Sequence, residues 1–258
     1  MYDVATRRSA LKLLQDGFTV SEVSRRIGVS RAAVKEWRDD PAKALTAQAG
    51  SRCPRCAETP SLPEPGPDYA YLLGLYLGDG CITPVGDPAK SVWALRIMCA
   101  DTWPGLITEC ENAVRSIRPG NKVRRIPCTG CTEVKSMSRH WPCLFPQHGP
   151  GKKHLRRIRL TAWQQQIVDE HTERFIRGLL HSDGCRLTNK IRRRLPSGER
   201  RYEYPRYLFT NESQDILQIL GAALDRLGIA WRYSKRNTIS IAKKDAVARL
   251  DEFVGPKY

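Results

Sequence analysis

Residues 72–80 read "LLGLYLGDG" and residues 176–184 read "IRGLLHSDG". Aligned without a gap, they share Gly74 with Gly178, Leu75 with Leu179, Asp79-Gly80 with Asp183-Gly184, and then Cys81 with Cys185. Each is an apolar helical stretch that closes on a carboxylate beside a glycine. The likeness extends downstream, where "CLFPQHGPGKK" (143–153) and "RLDEFVGPKY" (249–258) both place apolar residues ahead of a Gly-Pro and a lysine. Self-similarity at this spacing predicts a duplication of roughly one hundred residues.

The chain has 258 residues, 41% of them hydrophobic, which is enough to bury a core in one large domain or several small ones. No apolar run approaches the ~20 residues needed to cross a bilayer, and "MYDVATRRSALKLL" lacks the uninterrupted apolar segment of a signal peptide. A cytoplasmic protein is expected, nucleoid-associated if bacterial, without membrane partners. Nine cysteines in such a compartment are expected as core thiols or metal ligands rather than disulfides. Lys and Arg number 43 against 27 Asp and Glu, a net charge of +16, and the pI is about 9.7. That balance calls for a polyanionic partner, most simply nucleic acid.

Residues 1–45 predict three short helices. Ala10, Leu13 and Leu14 form one apolar face, Val23 and Ile27 another, and Val34 with Trp37 anchors the third. Gly28 supplies the tight turn and Ser30 caps the following helix. The arrangement resembles a helix-turn-helix, which makes Ser30, Arg31 and Lys35 candidate DNA contacts on the recognition helix.

From 46 to 67 the composition shifts to Ala, Pro, Gly and Ser, ending in "PSLPEPGP", as in a linker. Inside it lies "CPRC". Cys53 and Cys56 have the spacing of two zinc ligands, and a tetrahedral site needs two more. Cys128 and Cys131 in "CTGC" are the expected second pair, with Cys143, His140 and His148 as competitors.

The two nine-residue segments resemble the signature of the LAGLIDADG homing endonucleases. Their separation, 183 minus 79 or 104 residues, is similar to that of single-chain members carrying two copies. The resemblance covers residues 69–258, as a first repeat over 68–155 and a second over 156–258. It implies an α+β fold: an all-α helix-turn-helix followed by a pseudo-twofold pair of αββαββα repeats. The signature helices would pack together through Gly74 and Gly178, bringing Asp79 and Asp183 to a DNA cleavage centre. The residue order agrees. After Asp79 come strand-like "VWALRIMCA", helical "WPGLITECENAVRSI" and the strands "KVRRI" and "EVKSMS", and the second copy follows suit.

The sixth signature position, often acidic in the family, is Leu77 in one copy and His181 in the other, while both closing acids are retained. The family also implies a basic residue beside each centre. Lys243 or Lys244 is the catalytic candidate for the second half, and Arg139 or His140 for the first.

In 185–194, strand alternation sends Arg186, Thr188, Lys190, Arg192 and Arg194 to one side and Leu187 and Ile191 to the other. With Arg200, Arg201 and Arg206 on the partner strand and Tyr202 and Tyr204 interleaved, this predicts a cationic hairpin suited to phosphate and base-edge contacts.

Phosphodiester hydrolysis needs a divalent cation to neutralise oxygens and acidify water, and carboxylates hold hard ions such as Mg2+. An acid at a helix C-terminus faces the negative end of the dipole, which a cation would offset. The expectation is a monomeric, Mg2+-dependent, sequence-specific endonuclease of double-stranded DNA. The alternatives are a catalytically silent transcriptional regulator, which the helix-turn-helix suits, and an RNA maturase on the same fold.

Overall fold

The computed structural model describes residues 4–46, 53–57, 59–87, 91–195 and 198–258. They fall into two compact units, one within residues 1–52 and one from Cys53 to Tyr258. The linker expected over 46–67 is therefore shorter. Cys53 is only 3% exposed and belongs to the core of the second unit, and Arg55 stacks over the Trp163 ring at 4.6 Å. This proline-rich stretch is laid against the body because a thiol and a guanidinium plane find partners there.

In the first unit, α1 (Val4–Gln15), α2 (Val20–Ile27) and α3 (Arg31–Asp39) are the three expected helices, and α4 (Pro41–Thr46) adds a fourth. Thr19 and Glu22 form a capping box at the start of α2, and Gly28 ends that helix at φ 67°, in the left-handed region. The Ser24 hydroxyl donates to the Val29 carbonyl at 2.6 Å, and Ser30 Oγ accepts from the Ala33 amide. Ala10, Leu11, Val23, Val29, Val34, Trp37 and Ala44 make the core.

The second unit is built twice. The first copy runs α5 (Gly66–Asp79), β1 (Gly80–Pro84), β2 (Trp93–Ala100), α6 (Pro104–Ile117), β3 (Val123–Cys128), β4 (Cys131–Ser138) and α7 (Trp141–Leu144). A connecting helix, α8 (Ala162–Glu170), leads to α9 (Thr172–Asp183), β5 (Gly184–Leu195), β6 (Gly198–Thr210), α10 (Gln214–Arg226), β7 (Arg232–Lys235), β8 (Thr238–Ile241) and α11 (Lys244–Phe253). The sheets have identical strand orders, β1-β2-β4-β3 and β5-β6-β8-β7, all antiparallel. Both copies thus have the αββαββα order that the resemblance implies.

Every residue of α5 from Tyr69 to Leu77 is buried. A helix apolar on all sides is stable only when enclosed, and α9 supplies the wall at its centre. The sheet faces turned toward the helices bury Leu95, Ile97 and Val134 in one copy and Phe209, Ile239 and Ile241 in the other.

The copies differ in the reach of their first hairpin and in their closing helix. β6 pairs with β8 only over Tyr207–Thr210, so the rest of β5 and β6 continues as a two-stranded ribbon. The closing helix α7 has four residues where α11 has ten. No helix among the described residues is long and apolar enough to cross a membrane.

Candidate functional site

The signature helices meet backbone to backbone. A Cβ built on Gly74 would lie 2.6 Å from the Phe175 carbonyl oxygen and 2.7 Å from the Leu179 nitrogen, and one on Gly178 would fall 3.1 Å from Gly74 Cα. This approach carries on to the helix ends, where a Cβ on Gly78 would touch Ser182 and stand 3.2 Å from Asp183 Oδ2. Asp79 and Asp183 therefore emerge side by side.

Their electrostatics follow from that position. Asp79 keeps contact with solvent, yet the protein crowded around its carboxyl, together with the charge of Asp183, pushes its pKa up to about 6. Burial also raises Asp183, opposed by a 2.6 Å hydrogen bond from Asn211 Nδ2 to its Oδ2. The Asp79 carboxylate has no hydrogen-bond partner among the described residues.

Two lysines complete the centre. Lys153 Nζ donates to the carbonyls of Tyr76, Leu77 and Gly78 at 2.5, 2.9 and 2.7 Å. Lys257 Nζ donates to those of Gly184 and Ser182 at 2.5 and 3.2 Å. Each ammonium caps the carbonyl end of the helix that carries an aspartate, where the last carbonyls lack intrahelical donors. Burial lowers Lys153 to about 8 against the pull of both aspartates, and lowers Lys257 in the same sense.

The basic residues beside the aspartates are not the expected Lys243 and Lys244. The lysine charges acting on the aspartates come from residues 153 and 257, while Lys243 and Lys244 are exposed at the start of α11. The signal was present: both lysines follow a Gly-Pro and stand 257 minus 153, or 104, residues apart, the same interval as the aspartates.

His181 lies outside the centre. Its Nε2 donates to the Val254 carbonyl at 2.9 Å, so Nδ1, 3.0 Å from the Tyr71 hydroxyl, accepts from it. Burial lowers its pKa to about 4, and it packs as a neutral ring.

The first sheet presents a basic outer face, while the basic residues expected on β5 and β6 divide between the two faces. Residues directly opposite in an antiparallel pair share a face. Arg186 therefore sides with buried Tyr207 toward the helices, where Asp251 accepts from its Nε and Nη2 at 2.8 Å each. Arg206, Tyr204 and Tyr202 lie opposite Leu187, Asn189 and Ile191 on the other face. Beyond the helices the ribbon is open, and Lys190, Arg192 and Arg201 are exposed there beside Glu203 and Glu199. The side chains of Arg194 and Arg200 lie outside the described residues.

The first sheet contributes basic residues outside the expected set. Lys135 stands between Arg96 and Arg124 on the face opposite buried Leu95, Ile97 and Val134, and Glu133 on that face pairs with Arg96 and Lys135. Alternation within "VWALRIMCA" and "KVRRI" would have revealed them. In the first unit Arg31 and Lys35 are exposed on α3, as is the capping residue Ser30.

The cysteines sort differently from the expected pairing. Cys128 and Cys131 are cross-strand neighbours flanking Gly130 at the β3–β4 turn. Cys53 and Cys56 gather instead with His140 and Cys143. Residues 128 and 131 are already joined by a hairpin, which holds them away from that group, and His140 is a member of it rather than a base beside Asp79.

Residues 1–44 match the family model of the Homeodomain-like domain. Among solved structures, the chain is similar to I-DmoI in complex with DNA and Mn, at 13% identity and a TM-score of 0.47, over 75% of this chain and 99% of that one. It is also similar to the LAGLIDADG meganuclease I-AabMI bound to uncleaved DNA, at 11% identity and a TM-score of 0.46, over 72% and 82%. The homing endonuclease I-GzeII with its DNA target aligns at 11% identity and 0.42, over 73% and 84%. These are likenesses of backbone arrangement alone. Among curated proteins, none matches the sequence.

Proposed function

We propose that the protein is a divalent-metal-dependent, sequence-specific endonuclease of double-stranded DNA, acting as a monomer of the LAGLIDADG type, with Mg2+ as its cofactor. The observation that carries this reading is the convergence of Asp79 and Asp183 at the paired helix ends, each backed by a lysine. A protein that only binds DNA gains nothing from two carboxylates directed at phosphates, since they would repel the ligand.

The donor set suits a hard cation. Asp79 offers a carboxylate with no protein hydrogen bond among the described residues, and the repulsion between the two acids is relieved by positive charge. When bound, such an ion neutralises phosphate oxygens and lowers the pKa of an attacking water.

The chain's own groups supply the rest. Lys153 and Lys257 fix the helix ends and so aim both carboxylates. Lys153, lowered by burial to about 8, would carry a proton once one of its three hydrogen bonds to carbonyls is released. Arg96, Arg124 and Lys135 on one sheet, and Arg206 with the ribbon residues Lys190, Arg192 and Arg201 on the other, would bind backbone phosphates. Tyr202 and Tyr204 would meet sugar or base edges. Arg31 and Lys35 on α3 would read a major groove. Two related halves in one chain suit an asymmetric site without a second subunit.

The alternative reading is a regulator that binds DNA without cutting it, through the same Homeodomain-like unit. Incubating the purified protein with a library of double-stranded sites in Mg2+, and separately in Ca2+ or EDTA, separates the two. Mg2+-only cutting, lost in Asp79→Asn or Asp183→Asn with binding intact, supports the nuclease; tight site-specific binding with no cutting in any metal refutes it.

A further inference from the structure

We infer that Cys53, Cys56, His140 and Cys143 form a structural zinc site that fastens the start of the body to the end of its first repeat. The four donors come from two chain segments far apart in sequence, a C-x-x-C turn and an H-x-x-C turn, and one ligand atom from each lies within 4.8 Å of all the others. Cys56 Sγ is 3.5 Å from His140 Nδ1 and 3.0 Å from Cys143 Sγ. A tetrahedral zinc with Zn–S of about 2.3 Å and Zn–N of about 2.0 Å separates its ligands by roughly 3.4–3.8 Å, so small side-chain adjustments suffice. The sulfurs of Cys56 and Cys143 are too far apart to be bonded to each other.

The scaffold around the cluster is already fixed. Cys53 is buried, the Trp141 indole donates to the Ser136 carbonyl at 2.9 Å, and Tyr69 donates to the Leu144 carbonyl at 2.5 Å. On the other side, Arg55 donates to the Ser61 carbonyl at 3.1 Å while its guanidinium lies over Trp163. Both chelating turns are thus held in place by groups other than the ligands themselves.

Comparison of the two repeats supplies a reason for the site. In the second copy the closing helix α11 has ten residues and buries Ala246, Val247 and Leu250. In the first copy the closing helix is a single turn, too short to persist by its own hydrogen bonds. A metal crosslink there would replace the packing that a full helix provides. Three thiolates and an imidazole fill a tetrahedral shell and leave no open position, so the role is fastening rather than catalysis. Soft sulfur donors select zinc over magnesium, which keeps this site distinct from the aspartate centre. The inference stands whether or not the protein cuts DNA.

The test is elemental analysis of the full chain produced with zinc in the medium, joined to cobalt substitution. One zinc per chain is expected in the wild type and in Cys128→Ser and Cys131→Ser, and none in Cys56→Ser or Cys143→Ser. His140→Cys should retain it. The cobalt form should show thiolate-to-metal charge-transfer bands and the intense ligand-field bands of a tetrahedral site. This reading of the wild type decides the matter even if a serine variant fails to fold. A zinc-free wild type with no such bands, a Cys56–Cys143 disulfide found by mass spectrometry, or zinc lost from Cys128→Ser alone would each overturn the proposal.

Discussion

Gly178 and Gly74 are in direct backbone contact: a methyl group on Gly178 would stand 3.1 Å from Gly74 Cα and nearer still to the Tyr71 carbonyl oxygen. Neither neighbour is a flexible side chain, so the helices must separate to admit it. Gly74→Ala and Gly178→Ala are each expected to destabilise the protein by about 3 kcal/mol, at the upper end for overpacking. Gly120→Ala is the control, because a Cβ there meets nothing within 4 Å. Urea denaturation of the three variants checks this, and equal stabilities would contradict the close approach.

Asp79 makes stability depend on pH in a defined direction. Its folded pKa of about 6 lies above the unfolded value of about 3.9, so its favourable contribution is present below pH ~4 and lost as pH rises toward ~6. Above that range the ionised carboxylate is a penalty. In EDTA, Asp79→Asn should stabilise the protein at pH 7.5 by on the order of 1 kcal/mol, a value discounted because solvent reaches the group, and leave it unchanged at pH 4. Added Mg2+ should raise the melting temperature of the wild type above pH ~6 and not that of the variant. The same gain at both pH values would show that charge is not the cause.

Lys153 makes three hydrogen bonds to helix-end carbonyls and Lys257 makes two. Lys153→Met should therefore cost more stability than Lys257→Met, about 2–3 against about 1–2 kcal/mol. If Lys153 also moves a proton, its loss lowers cleavage on the order of 100-fold and removes a limb near pH 8 from the rate profile. A rate loss with an unchanged pH profile would assign it to positioning alone.

Arg31 and Lys35 are exposed on α3 and take no part in the core of the first unit. Replacing both with alanine should weaken DNA binding, flatten its dependence on salt by about one unit of slope for each phosphate no longer neutralised, and leave the circular dichroism spectrum unaltered. Val34→Ala, which opens a cavity in that core, should instead lower helicity with binding. Titrations at several salt concentrations distinguish the two; unaltered binding by the double variant would remove α3 from the interface.

Much of this molecule is legible in one dimension. The repeat, the glycines at the helix crossing, the paired aspartates and the caps of α2 and α3 depend on residue type and spacing alone. Periodicity also separates the two sides of β5, but it cannot say which side faces the helices. That is set by the register with β6, which turns Arg186 inward to Asp251 and leaves Arg206 on the outside. Lys153 and Lys257 escaped for a similar reason. They lie 74 residues beyond their aspartates (153 minus 79 and 257 minus 183) and reach the helix ends only once each repeat has closed on itself. The cysteines make the same point, since spacing proposes pairs and cannot join them. Local chemistry fixed which residues form helices, turns and a duplicated core. The tertiary structure alone decided which distant charges and thiols meet, because those encounters depend on strand register and helix packing rather than on neighbouring residues.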